Sequence, residues 1–231
     1  MGSSRFPDPR CPMKSIPAFG AVWLALAAAV LAQDQVPLKL DLPKPLFEGT
    51  PRPIQVPNLE KPRIGPRPPL MVPAGTILLS KGKPVTSSDN YPVIGELDFV
   101  TDGDKSGVDG SYVELGPGRQ WVQIDLGQAA TLHAIVVWHF HSQARVYHDV
   151  VVQVSDDPAF KTGVRTVFNN DQDNSSGFGA GPDPAYVETY EGRLIPVAGI
   201  KARYVRLSSN GNTTDELNDY CEVEVYGLPG G

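Results

Sequence analysis

Short stretches of alternating apolar and polar residues begin near Gly75 and recur to the end of the chain. In the stretch Trp121–Leu126, Val122 and Ile124 fall on one face with Leu126, the pattern of a strand that is buried on one side. The stretch Leu132–Trp138 is almost entirely apolar, as expected of a strand buried on both faces. No stretch shows a convincing helical period, so the pattern predicts an all-β domain over residues 75–228, an antiparallel β-sandwich or jelly roll. Further predicted strands are His148–Ser155, Ala202–Ser208 and Glu222–Gly227.

Residues 33–74 show a different pattern, with proline every few positions. Proline prevents helix and interior strand and favours extended polyproline II segments, so this part is predicted to be a disordered, semi-rigid linker. It is either a tether that holds the domain away from a surface or a remnant with no role. The apolar residues between Leu38 and Leu42 are candidates for docking on the domain.

Residues 1–32 resemble a targeting segment. Lys14 precedes an apolar run from about Ala18, and small residues end the run at Val30-Leu31-Ala32. This order is typical of a secretory signal peptide, and the run is too short for a membrane span, so we expect cleavage near Ala32. The residues before Met13 are best explained by a start site placed too far upstream. The mature chain is then expected to be secreted, periplasmic or held at the cell surface.

Charge and cysteine content narrow the function classes. The 231-residue chain has a formal net charge of -6, which provides no basic surface for phosphates, so no nucleic-acid partner and no membrane insertion are expected. Signal removal leaves Cys221 as the one cysteine, which excludes an internal disulfide.

Six motifs over residues 81–227 occur in an order that resembles the discoidin, or coagulation factor 5/8 type C, domains, which overlap with family-32 carbohydrate-binding modules. They are GKPVTSS at 82–88, VTDGDKSG at 100–107, WVQIDLG at 121–127, VVVQVSDD at 150–157, KARYVRL at 201–207 and EVEVYG at 222–227. The resemblance implies a galactose-binding-like jelly roll that is usually non-catalytic. It does not by itself identify a ligand.

The motif TDGDKSG contains candidate metal ligands. Asp102 and Asp104 stand at alternate positions before Gly107, as at the start of an EF-hand loop, but Val113 occupies the position of that motif's glutamate. An Asp- and Gly-rich turn still offers the oxygens that a hard cation prefers. The alternative is a turn with solvated carboxylates.

The resemblance favours calcium at this turn, because these domains often hold one structural calcium between such a loop and a glutamate that opens the last strand. That glutamate corresponds to Glu222, with Asp102 as the second side-chain ligand. Further contributions are expected from around Phe99, Asp104, Gly107 and Cys221.

The segment 139–148, HFHSQARVYH, contains three of the chain's four histidines. His139 and His141 lie two apart, so they would share one face of a strand and could chelate a metal with His148. Acid–base chemistry is the second interpretation, since Asp149 follows His148. A sugar site is the third, because planar polar side chains with aromatic neighbours suit hydroxyl recognition. In the structural alternative, Phe140 is core and Arg145 pairs with an acidic neighbour.

The resemblance favours the sugar site. In sugar-binding relatives a histidine in this region is followed by an arginine and by an asparagine in a later loop. His141 or His139 matches the first position and Arg145 the second, while Asn174 matches the third loosely, with Phe178 nearby as an aromatic. The loop 208–220 contains no aromatic residue before its end, which departs from the family pattern. The long insertion 168–194 is the second place to look for function.

Together these observations predict a secreted, non-enzymatic module that binds an extracellular glycan or polysaccharide and carries a structural calcium. The alternative is an adhesion domain that binds a cell-surface protein through its loops. A histidine-ligated metalloenzyme ranks below both, because the metal signal ends at the HxH spacing.

Overall fold

The computed structural model describes residues 34–46 and 53–230. The predicted signal peptide, residues 1–32, lies outside this range. Among the described residues no helix is long and apolar enough to cross a membrane.

Ten strands and one short 3₁₀ helix, Leu97–Thr101, make up the regular structure of the described residues, which confirms the predicted all-β class. The strands are β1 (Gln35–Pro37), β2 (Met71–Pro73), β3 (Ile77–Leu78), β4 (Val85–Ser87), β5 (Val113–Leu115), β6 (Gln120–His139), β7 (Val151–Ser155), β8 (Arg165–Asn169), β9 (Arg193–Ser209) and β10 (Asn218–Leu228).

Two long antiparallel strands, β6 and β9, organise the domain. Their ladder is interrupted between Asp125 and Ala130, and each strand has different neighbours on the two sides of this break. The first part of β6 lies between β4 and the second part of β9, which also pairs with β7. The second part of β6 lies between β10 and the first part of β9. The two predicted strands 121–126 and 132–138 are therefore portions of one strand that contributes to both parts of the sheet.

The main core lies between these two parts. Val122 and Ile124 from the first part of β6 belong to the same buried cluster as Ile135 from the second part, together with Val205 on β9 and Val223 on β10. These inward positions follow the alternation seen in the sequence, because side chains along a strand point to opposite faces. The result is the antiparallel jelly-roll sandwich that the pattern predicted.

The outer face of the β6–β10 pair is apolar as well, which explains why Leu132–Trp138 shows so little alternation. Val136 and Trp138 are completely buried on this face, next to Tyr226 of β10. Leu38, Leu40 and Leu70 of the proline-rich segment pack against them. We call the described part of this segment, residues 34–46 and 53–73, the strap. The docking question left open by the sequence is thus answered: part of the segment packs on the domain.

Polar contacts hold the rest of the strap. β1 pairs with β2 within it, and Arg67 donates to the carbonyl of Glu191 at 2.9 Å. Arg193 of β9 forms an ion pair with Glu60 at 2.7 Å. The strap is therefore fixed both to the apolar outer face and to the loop that precedes β9.

Candidate functional site

His139 lies in the core and not on a rim. Its side chain is fully buried and Nδ1 lies 2.7 Å from Oε1 of Glu188, which is also fully buried. Its ring stacks on Tyr147 with centroids 4.3 Å apart. Glu188 belongs to the insertion, 49 residues further along the chain, so the insertion covers this histidine. No surface ligand reaches His139 in this conformation.

His141 is buried at a different place. Its Nε2 lies 2.9 Å from the carbonyl oxygen of Lys105, and it packs closely against Gly107. Because His139 pairs with Glu188, the two histidines have separate partners and are not assembled into a chelating pair. Among the described residues, the only group of three or more His, Cys, Asp or Glu side chains whose ligand atoms come within 4.8 Å of one another contains no histidine.

Arg145 forms the ion pair that the structural alternative predicted. Its Nη1 lies 2.9 Å from Oδ2 of Asp219, and its guanidinium lies 4.5 Å from the centroid of Phe140. The side chain of Asp219 is 1% exposed and also accepts a hydrogen bond from Tyr147 at 2.6 Å. Arg145 therefore neutralises a buried carboxylate. Burial raises the pKa of Asp219, and the hydrogen bond from Tyr147 and the charge of Arg145 oppose this effect.

We accordingly expect Arg145→Ala to destabilise the fold. Breaking a buried pair leaves an uncompensated carboxylate, and a loss of about 2 kcal/mol is expected because Tyr147 still donates to Asp219. Urea unfolding measures it, with Arg165→Ala, an exposed arginine on β8, as the matched control. Equal stability of the two variants would contradict the structural role.

Asn174 and Phe178 lie in the insertion. Asn174 is exposed, has a φ of 60°, and accepts a hydrogen bond from the amide of Gly179 at 2.6 Å. Phe178 is half-buried beneath the guanidinium of Arg119, at 5.0 Å. The structure does not bring these two residues together with His139, His141 and Arg145 into one rim.

A groove of about 560 Å³, lined by Asp173 and Ser175 on either side of Asn174, is the better candidate for a binding site. The side chain of Asn170 is its most informative feature: the residue is 7% exposed, its Oδ1 accepts from the amide of Val150 at 2.7 Å, and its Nδ2 has no partner among the described residues. The other lining residues are Val56, Pro57, Tyr147, His148, Asp149, Gln172, Asp173, Ser175, Ala185 and Asn210. Of the sequence-predicted loop 139–148, only the last two residues reach this groove.

The groove is acidic. Carboxylate oxygens of Asp149, Asp171 and Asp173 lie within 4.8 Å of one another. Asp171 is buried, which raises its pKa, but hydrogen bonds from Ser176 and Ser175 outweigh this and hold the pKa below its usual value. Asp149 and Asp173 line the groove, Asp171 is buried next to them, and no Lys or Arg is among the lining residues, so the groove carries a concentrated negative charge.

The sequence motifs did not identify Asn170, Asp171 or Asp173, and they indicated Asp149 only as an acid–base neighbour of His148, although the insertion was the second predicted place for function. Asp171 and Asp173 follow the Asn169–Asn170 pair at the end of β8, and Asp149 follows His148 at the start of β7. β7 and β8 are paired strands, so residues before one and after the other meet at the same edge. This pairing was the signal that could have located them.

The predicted calcium site centres on Glu222. Its side chain is completely buried, Oε2 accepts from the amide of Gly103 at 2.9 Å, and Oε1 has no partner among the described residues. Burial, together with the charges of Glu224 and Asp102, raises the pKa of Glu222 to about 8, while the Gly103 hydrogen bond opposes the shift. A buried carboxylate oxygen without a partner, held beside an acidic loop, fits a hard cation.

The loop residues differ in how well they suit this role. Asp102 is exposed, and its Oδ1 accepts from the amide of Asp104 at 2.7 Å. Asp104 in turn accepts from Ser106 at 2.9 Å, so both carboxylates are organised by the turn. The thiol of Cys221 is buried, and burial raises its pKa well above the usual value. Phe99 lies in the 3₁₀ helix, and Gly107 is buried with a φ of 67°. Both residues can contribute only through the backbone.

Comparison with known proteins agrees with the fold. The family model of the NedA-like, galactose-binding domain of the F5/F8 type C group matches residues 99–207. This match confirms the resemblance that the motifs predicted. No curated protein matches the chain in sequence.

Several solved structures are similar. The CBM32 of AlyQ in complex with 4,5-unsaturated mannuronic acid is 19% identical, with 62% of this chain and 92% of that chain covered and a TM-score of 0.46. The chitosan-binding module 1 of a chitosanase/glucanase from Paenibacillus sp. IK-5 is 22% identical, with 65% of this chain and 99% of that chain covered and a TM-score of 0.44. The fucose-binding module SpX-3 of Streptococcus pneumoniae is 17% identical, with 66% of this chain and 99% of that chain covered and a TM-score of 0.46.

Proposed function

We propose that this protein, whose residues 99–207 match the family model of the NedA-like, galactose-binding F5/F8 type C domain, is a secreted, non-catalytic module that binds carbohydrate in the groove between β7, β8 and the strap. The observation that carries the proposal is the buried Asn170 amide, whose Nδ2 lacks a partner in a groove otherwise lined by carboxylates, amides and a histidine. Sugar hydroxyls can accept from such a donor and donate to the carboxylates.

The groove suits a small part of a glycan chain. Its volume of about 560 Å³ falls within the usual range of small-ligand sites. Asp149 is held by Ser175 at 2.8 Å and by Asn210 at 2.9 Å through the same oxygen, Oδ2. A side chain fixed in this way loses little rotamer freedom when a ligand binds, which favours affinity.

Charge narrows the class of glycan. Three neighbouring carboxylates repel the carboxylates of uronic acids and the sulfates of sulfated chains, so neutral or amine-bearing glycans are expected. The proposal therefore does not extend to this chain the mannuronic acid bound by the AlyQ module.

The non-catalytic role is supported by the burial of a described arrangement that resembles an acid–base pair. His139 and Glu188 lie 2.7 Å apart, but both side chains are 0% exposed. A substrate would have to displace the insertion to reach them. Secretion rests on the order of charged, apolar and small residues in 13–32.

We also propose that calcium binds beside Glu222, with Asp102 as its second side-chain ligand. Glu222 lies within β10, and Asp102 follows the 3₁₀ helix 120 residues earlier in the chain, so the ion would link the two. Calcium would supply the positive charge that the buried carboxylate lacks, and its role would be stability.

Binding to immobilised polysaccharides tests the carbohydrate proposal. The panel contains the neutral polymers galactan, chitin and β-glucan, with alginate and pectin as anionic comparators. The variant Gln172→Ala/Asp173→Ala removes two exposed groove side chains and is expected to bind the retained polymer about tenfold or more weakly.

The matched control is Gln128→Ala/Asp156→Ala, which removes the same two side-chain types from exposed positions outside the groove. It should bind like the original protein. Failure of the original protein to bind any polymer of the panel, or equal binding by the two double variants, would contradict the proposed site.

A further inference from the structure

The strap forms part of the wall of the proposed glycan groove. Val56 and Pro57 line the groove together with Asp149 and Asn170. Val56 is half-buried and Pro57 is exposed, so both present apolar surface that a ligand can contact. Residues that the sequence placed in a linker thus share a surface with residues of the domain loops.

Backbone hydrogen bonds hold this part of the strap in place. Leu59 forms a parallel bridge with Ala185, which also lines the groove. The amide of Glu60 donates to the carbonyl of Ala185 at 2.8 Å, and the amide of Ala185 donates to the carbonyl of Asn58 at 3.1 Å. Asn58 has a φ of 53°, a left-handed conformation that asparagine tolerates better than most residues. The turn at Pro57-Asn58 is therefore fixed against the insertion.

An ion pair adds a second anchor beyond the bridge. Glu60, directly after Leu59, pairs with Arg193 at 2.7 Å. The strap wall is consequently attached before any ligand arrives, so binding does not have to order it. A preformed wall contributes to affinity because the entropy of ordering it is lost on folding and not on binding.

The chemistry of this wall complements the remainder of the groove. A pyranose ring has an apolar C–H surface as well as hydroxyl edges, and the acidic and amide side chains serve only the hydroxyls. Tyr147 and Ala185 are the other lining residues with apolar surface; Tyr147 is buried and Ala185 is half-buried. The accessible apolar surface therefore comes from Pro57, which is exposed, and from Val56 and its neighbour Ala185, which are half-buried.

We propose that Val56 and Pro57 are ligand-contacting residues of the groove, and that the strap is a component of the binding site as well as a connection to it. This inference rests on the proposed carbohydrate function. It assigns to the strap the packing surface for the sugar's C–H face, while the domain loops supply the hydrogen bonds.

The test uses the full chain carrying Val56→Ser/Pro57→Ala, which removes apolar surface and leaves Asn58 and the Leu59 bridge unchanged. Isothermal titration with galacto- and chito-oligosaccharides is expected to show roughly fivefold to tenfold weaker binding, from the lost apolar contact. Ile64→Ser is the control: it replaces an apolar strap residue that is 101% exposed and does not line the groove, and it should leave the affinity unchanged.

A second measurement does not depend on how well the variant folds. In the unmodified protein, the methyl NMR signals of Val56 should shift on titration with the same oligosaccharide, whereas those of Val36, an exposed strap residue outside the groove, should not. Unshifted Val56 signals, or full affinity in Val56→Ser/Pro57→Ala, would overturn the inference. The variant Gln172→Ala/Asp173→Ala would then still show whether the groove binds the ligand. Absence of binding by the unmodified protein would instead overturn the proposed function.

Discussion

Adding calcium to the metal-free protein is expected to raise its melting temperature by about 5–10 °C at a concentration a hundredfold above the dissociation constant. The physical reason is the environment of Glu222, which is completely buried with one carboxylate oxygen unpartnered. The proposed calcium would bind the folded state, where Asp102 lies close enough to Glu222 to raise its pKa, and it would have no comparable site in the unfolded chain. Differential scanning calorimetry with EDTA and then with calcium measures the shift.

The pH dependence identifies the group responsible. In the folded metal-free protein the pKa of Glu222 is raised to about 8, from an ordinary value of 4.5 in the unfolded chain. Folding therefore takes up a proton between these values, so the metal-free protein loses stability as pH rises from about 4.5 to about 8. The loss is on the order of 4 kcal/mol in total. The proposed calcium would bind the deprotonated carboxylate, so its stabilising effect should grow over the same range.

Glu222→Gln separates this effect from other acidic groups. The variant should lose both the pH-dependent decline and the response to calcium, whereas Glu216→Gln, at an exposed position, should keep both. Identical melting curves with EDTA and with calcium at pH 8 would refute the calcium site. A calcium response that survives in Glu222→Gln would place the ion elsewhere, with the Asp149, Asp171 and Asp173 group as the other acidic cluster to examine.

The strands could be predicted from the sequence because their cause is local. Alternation of residues such as Val122 and Ile124 identifies a face regardless of what lies across the core. The unbroken apolar run Leu132–Trp138 correctly predicted a strand that is buried on both faces. It could not show that Leu38, Leu40 and Leu70 pack on its outer face.

The candidate site was harder to predict because its residues come from distant parts of the chain. His139 resembled a surface ligand when read with its neighbours, but its position depends on Glu188, which the insertion brings over it. The groove combines strap, β7 and β8 ends with Asn210 after β9. No short motif contains these residues, so only the strand pairing of β7 with β8 and β9 brings them together.

Loss of the strap's apolar contacts is expected to destabilise the domain strongly. Leu40→Asp/Leu70→Asp places two carboxylates against the outer face that contains Trp138, which is 0% exposed. Each leucine contributes about 1.5–3 kcal/mol when fully buried, and both are only partly buried, so the loss should be on the order of 4 kcal/mol once the charge is included. Urea unfolding at one pH, with and without calcium, measures this loss independently of the metal.

The control replaces two exposed apolar residues of the same strap, Leu46→Asp/Ile64→Asp, with relative exposures of 43% and 101%. It adds the same charge and should leave the free energy of unfolding within about 0.5 kcal/mol of the original. In the destabilised variant, the fluorescence of Trp138 should also be quenched and shifted to longer wavelength, because water reaches the outer face. If both double variants unfold at the same urea concentration, the strap does not stabilise the domain. The proposal that Val56 and Pro57 form a preformed wall of the groove would then be contradicted as well.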